Sequence, residues 1–93
     1  MNTQLFKQLC EATGASGFEY GIRDLIIDVM TPLADEISVD NIGNVTALIK
    51  GKSSEKSIMC AAHMDEIGFI VVNATNDGLL QFRPVGASIP AWR

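Results

Sequence analysis

Ser57-Ile58-Met59-Cys60-Ala61-Ala62-His63-Met64-Asp65-Glu66-Ile67-Gly68-Phe69 joins two apolar runs through a short polar break. Its first six residues carry almost no polarity, the pattern of a strand covered on both faces of a sheet. The run then breaks at His63, the only histidine in the chain, with a carboxylate two residues on. In an extended segment residues i and i+2 lie on the same side, so His63 and Asp65 face one site while Met64 faces away. Ligands of α/β sheets gather beyond the carboxyl ends of strands, which is where His63 falls. An imidazole beside a carboxylate is also the wiring of many metal sites, because the carboxylate takes one ring N–H and leaves the other nitrogen to bind.

Working outward toward the amino terminus, the period is helical. Leu5, Leu9 and Ala12, with Phe6 and Cys10 beside them, recur at the spacing of one face and predict a helix over about 4–13. Asn2 or Thr3 is its N-cap and Gly14 its stop. Ser16-Gly17-Phe18-Glu19 fits a capping box that opens a second helix running to about Met30. Phe18, Ile22, Leu25, Ile26 and Val29 form its expected buried stripe, and Pro32 marks its end.

After Pro32 the period becomes 2. Glu36-Ile37-Ser38-Val39 and Asn44-Val45-Thr46-Ala47-Leu48-Ile49 read as two strands joined through Asp40-Asn41-Ile42-Gly43. Gly51 to Lys56 is a polar loop before the quoted stretch. Beyond it, Ile67–Asn73 and Leu79–Val85 flank Asn76-Asp77-Gly78, a strong hairpin signal. The tail, Gly86 to Arg93, holds Pro90 and Trp92. The expected fold is therefore α/β, with two N-terminal helices on a mixed sheet followed by a β-hairpin. The character of the chain changes near Glu66, a candidate domain boundary.

Composition narrows the function classes. The chain has 93 residues, 47% of them hydrophobic, and a formal charge of -4. Such a chain suits one small domain and offers no electrostatic footprint for nucleic acid or anionic lipid. Met1-Asn2-Thr3-Gln4 lacks a basic start and an apolar core, and no apolar run nears the ~20 residues of a membrane span. Cys10 and Cys60 form no CxxC pair and read as reduced, buried thiols, so the expected location is cytoplasmic.

Several clusters compete with His63 and Asp65 for chemistry. Asp65 and Glu66 together resemble a glycosidase pair only in composition, because neighbours on an extended segment point to opposite faces. Glu66 reads as a solvated charge. Asp40, Asn41, Gly43 and Asn44 lack the 12-residue frame of a calcium loop and read as a turn. Gly14 to Gly17 lacks the Lys-Ser/Thr of a P-loop and reads as helix punctuation.

At three places the chain resembles one known family. Ser16-Gly17-Phe18-Glu19, Asp40-Asn41-Ile42-Gly43-Asn44 and Ala62-His63-Met64-Asp65-Glu66-Ile67-Gly68-Phe69 look like successive signatures of the glutamyl-aminopeptidase-like metallopeptidases. These are tetrahedral, self-compartmentalised enzymes of well over three times this length. The resemblance implies that residues 1–66 begin a catalytic α/β domain and that residues 67–93 open an inserted β-rich domain used for dimerisation. It implies that His63 is a ligand of a two-metal centre, zinc or cobalt, and that Asp65 is the catalytic carboxylate orienting it. The substrate would be a peptide with a free N-terminus, and the assembly a homo-oligomer of dimers building a dodecamer. The family's remaining ligands and its general base have no counterpart among these residues, so this segment alone is expected to hold no metal stably and to have no peptidase activity. Two other readings stand beside this one: a non-catalytic assembly module, and a segment of a related dinuclear carboxypeptidase or deacylase.

Overall fold

The computed structural model describes residues 2–86. Along the chain these form α1 (Thr3–Glu11), α2 (Tyr20–Met30), β1 (Glu36–Val39), β2 (Val45–Leu48), β3 (Gly68–Ala74) and β4 (Leu80–Val85). The α/β class expected from the sequence holds. Its sheet component consists of two antiparallel pairs, β1–β2 and β3–β4, with one parallel bridge between Ala15 and Glu66. The apolar tail from 87 onward, with Pro90 and Trp92, lies outside the described residues.

Asn2 caps α1, its Oδ1 accepting the Leu5 N–H at 3.0 Å and so satisfying one of the four free donors of that terminus. The capping box expected at α2 does not form. Gly17 adopts φ 88°, and the carboxylate of Glu19 accepts the Gly17 N–H at 2.8 Å. Ser16 caps nothing, and α2 begins one turn later than a box would start it, at Tyr20. Pro32 follows the last turn of α2, where its missing N–H costs least.

α2 packs against β2, and β1 pairs with β2 from Glu36↔Leu48 to Val39↔Val45. The turn between them is organised by Asp40, whose carboxylate accepts from the Ile42 and Asn44 backbone N–H groups and from the Asn44 side-chain amide. Gly43, at φ 94°, completes it in a conformation other residues rarely adopt. β3 and β4 close through Thr75–Leu79, with Gly78 at φ 87° and a bulge at Val72. Phe69 and Phe82 meet edge to face across this hairpin, centroids 4.6 Å apart. Pro84 lies on β4, the edge position where a missing donor is tolerated.

Three expectations need correction. Residues 57–62 form no strand, and Ile58 and Met59 are 93% and 89% exposed. A strand covered on both faces needs neighbours on both edges, and none of the described residues lies alongside to supply them. Cys10 and Cys60 are free, as expected, but both are exposed, because no described residue covers either thiol. The stripe of α2 buries Ile22 alone; Leu25, Ile26 and Val29 are half-covered and Phe18 is exposed.

The core is correspondingly small. Gly14 and Ile22 are the only buried residues among those described. The Cα radius of gyration is 18.0 Å, against about 12 Å for a closed domain of this length.

Candidate functional site

The site segment is anchored from behind. The Glu66 N–H donates to the Gly14 carbonyl at 2.8 Å, and Glu66 bridges Ala15 in parallel register. The loop that accepts this bond is itself tied to α2, the Ile22 N–H donating to the Thr13 carbonyl at 3.0 Å. Residues 63–66 thus leave the unpaired run and meet a fixed point before β3 begins.

In front of that anchor, His63 and Asp65 stand together as the i, i+2 spacing predicts. The Asp65 Oδ1 is 3.1 Å and the Asp65 carbonyl oxygen 3.0 Å from His63 Nδ1. Both partners are acceptors, so in the neutral imidazole Nδ1 carries the proton and donates, while Nε2 keeps its lone pair. The imidazole side chain is 86% exposed and the Asp65 side chain 37%. Nothing described covers the ring, so a cation reaching Nε2 meets no steric barrier. The Glu66 side chain is exposed, as read from the sequence.

A groove of ≈ 1330 Å³ opens between α2, β2 and residues 57–65, lined by Ile26, Met30, Leu48, Cys60, His63 and Asp65 among others. Ligand pockets run to roughly 300–1,000 Å³ and enclose what they bind. This one is larger and open, with Ile26 and Met30 of α2 and His63 all among its lining, so it is an uncovered face rather than an enclosing pocket. No three His, Cys, Asp or Glu side chains converge among the described residues. A catalytic zinc ion is held by three protein donors. These residues contribute one nitrogen donor and the carboxylate that orients it, and do not fit a whole metal site.

The other candidates resolve as local structure. Both Asp40 oxygens are engaged within their own turn, and the Asn44 side-chain amide, followed by the Asn44 backbone N–H, holds this carboxyl below its ordinary value of 3.8. The turn is not a calcium loop. The Gly17 N–H is taken by Glu19, so the loop before α2 is no anion cradle. Sequence reasoning missed the backing of the site by Gly14, Ala15 and Ile22. Gly14 signals a helix end, and nothing local in the sequence links it to residue 66.

The profile of the M42 glutamyl aminopeptidases matches residues 43–92, which include both His63 and Asp65. The chain belongs to this family. Among M42 relatives, the lysyl aminopeptidase of Pyrococcus furiosus is 44% identical over 88 residues, covering 94% of this chain and 25% of that protein. A TET aminopeptidase structure from a marine sediment thaumarchaeon superposes with a TM-score of 0.82 at 41% identity, over 91% of this chain and 24% of that one. An aminopeptidase from Desulfurococcus kamchatkensis gives a TM-score of 0.86 at 36% identity, over 92% and 24%. The chain therefore spans about a quarter of the length of the M42 relatives it matches. Its backbone follows theirs even though few of its side chains are buried.

Proposed function

We propose that this chain is the N-terminal segment of a metal-dependent aminopeptidase that removes single residues from peptides with a free N-terminus. The observation that carries the reading is the His63–Asp65 pair, with Nδ1 held at 3.1 Å and Nε2 left free, in a member of the M42 family. His63 is a metal ligand through Nε2. Asp65 fixes the ring's tautomer and direction. Two divalent ions, zinc or cobalt, supply carbonyl polarisation and an activated water when bound. The other donors come from residues beyond those described. The segment by itself is inactive, a reading supported by its single imidazole.

Residues 1–66 belong to the catalytic domain and 67–93 begin the inserted β-rich domain. Supporting this division, α2 packs on the β1–β2 pair, whereas β3–β4 makes its own hairpin beyond Glu66. The enzyme is an oligomer and cytoplasmic. No helix among the described residues is long and apolar enough to cross a membrane.

The test uses the intact protein. His63→Ala should lose one bound zinc and the turnover of an aminoacyl p-nitroanilide. Asp65→Asn should keep the fold and lose about 10–100-fold in zinc affinity or rate. Wild-type turnover in either variant refutes the role given to that residue. Two tightly held zinc ions and peptide cleavage by the isolated 93-residue chain would refute its inactivity.

A further inference from the structure

The two buried residues among those described, Gly14 and Ile22, meet beside the segment that carries the candidate ligand, Gly14 accepting the Glu66 N–H. Gly14 has no positive φ, so its backbone would accept any side chain. Space is what excludes one. A Cβ built on Gly14 would lie 2.9 Å from Ile22 Cγ2, 3.4 Å from Ile22 Cβ and 3.4 Å from the Met64 carbonyl oxygen. Ile22 is 6% exposed, and β-branching in a helix leaves its side chain essentially one rotamer, so it cannot swing aside. The same loop holds α2 on one side, Ile22 N–H to Thr13 carbonyl, and residue 66 on the other, Glu66 N–H to Gly14 carbonyl. On the far side of Glu66 a second close approach repeats the arrangement: a Cβ on Gly68 would lie 3.0 Å from Ala15 Cβ.

We infer that Gly14 is a positioning residue, the wedge through which α2 sets the place of the His63–Asp65 pair. This inference rests on the proposed role of His63. A methyl at position 14 pushes the loop off Ile22, and the loop carries Glu66 with it through the 2.8 Å bond. His63 and Asp65 keep their mutual contact, since that contact is local, but the pair moves relative to ligands supplied from elsewhere. Catalytic geometry is sensitive to displacements of about 1 Å.

The experiment compares Gly14→Ala, Gly14→Ala with Ile22→Leu, Gly68→Ala, Gly68→Ala with Ala15→Gly, and Leu5→Ala in the intact protein. Ile22→Leu takes the branching methyl off the β-carbon while keeping the volume. Leu5→Ala is a destabilising control on α1, away from the loop. Zinc affinity is read by chelator competition, kcat and KM on an aminoacyl p-nitroanilide, and stability by Tm. Gly14→Ala should weaken zinc binding about tenfold and lower kcat similarly, with KM within about twofold. Ile22→Leu should restore both. Gly14→Ala with wild-type zinc affinity and kcat overturns the inference, as does a loss no larger than that of Leu5→Ala at equal Tm.

If Gly14→Ala does not fold, the second pair decides. Weaker zinc binding in Gly68→Ala, restored by Ala15→Gly, supports the inference, and unchanged binding in Gly68→Ala overturns it. A wild type that binds zinc but cleaves no aminoacyl amide refutes the aminopeptidase reading, and the affinities still judge Gly14. A wild type that binds no zinc overturns both.

Discussion

Residues 57–62 and β3 are both short apolar runs, and only one of them is a strand. Ser57-Ile58-Met59-Cys60-Ala61-Ala62 lies unpaired, with Ile58 93% exposed. Gly68-Phe69-Ile70-Val71 pairs residue by residue with β4, and the pairing resumes at Asn73 after the bulge at Val72. β3 is richer in aromatic and β-branched residues, but the decisive difference is the distance to a partner. β4 follows after a turn at Thr75–Leu79, so closing the ladder costs little chain entropy. A central strand needs neighbours on both edges, and a parallel neighbour arrives only through a crossover of a dozen residues or more. In these two runs ladder pairing follows what lies close along the chain, and apolar composition records only where a run would rest once covered.

The two runs should differ most in amide exchange. In the isolated chain, the amides of Ile58 to Ala62 should exchange near unprotected rates, and those of β3 at least about tenfold slower. In the intact protein, the proposed catalytic domain covers residues 57–62, and the order should invert. Those amides would then approach global-unfolding protection, a change of several orders of magnitude. Residues 57–62 exchanging freely in the intact protein would show that they are not a core strand at all.

What was legible in the sequence divides along the same line. Local features could be read: the Asn2 cap, both hairpins with their turns, and the His63–Asp65 contact, which needs only two residues and an extended backbone. The parallel bridge from Ala15 to Glu66 could not, because it joins residues far apart in the chain and leaves no periodic trace. The capping box misled for a related reason. Ser16 and Glu19 have the right identities, but the positive φ of Gly17 between them turns the backbone so that Glu19 finds the Gly17 N–H first. Cys10 and Cys60 looked buried because apolar neighbours imply a cover, and sequence does not say whether that cover lies within these residues.

A smaller change sharpens the contrast from the hairpin side. Gly78 has φ 87°, and a Cβ there would meet nothing within 4 Å, so Gly78→Ala introduces backbone strain without a clash. Holding a side chain in that conformation costs roughly 1–2 kcal/mol. The amides of β3 and β4 should exchange about tenfold faster, while those of residues 57–62 stay as they were. If both regions respond together, they are energetically coupled and the comparison fails.

The smallest expected effect concerns how the two hairpin turns respond to acid. Asp40 in the β1–β2 turn is held below the ordinary carboxyl value of 3.8 by the Asn44 side chain first, and Asp77 in the β3–β4 turn by the Thr75 hydroxyl first. Since each folded pKa is depressed, each carboxylate stabilises its turn above 3.8, and that contribution is lost as the pH falls through the folded value. Both groups are fully exposed, so solvent screening keeps the effect small. Asp40 accepts three hydrogen bonds across its turn, from Ile42, from the Asn44 backbone and from the Asn44 amide. Protonation weakens all of them together, so on acidification the Asn44 N–H of the wild type should lose protection. In Asp40→Asn, which has no titrating oxygen, that loss should vanish while the Asp77 turn keeps its own response. An Asp40 carboxyl titrating by NMR at or above 3.8 would show that these bonds do not organise the turn, and the β1–β2 pair would then owe its register to α2 packing on β2.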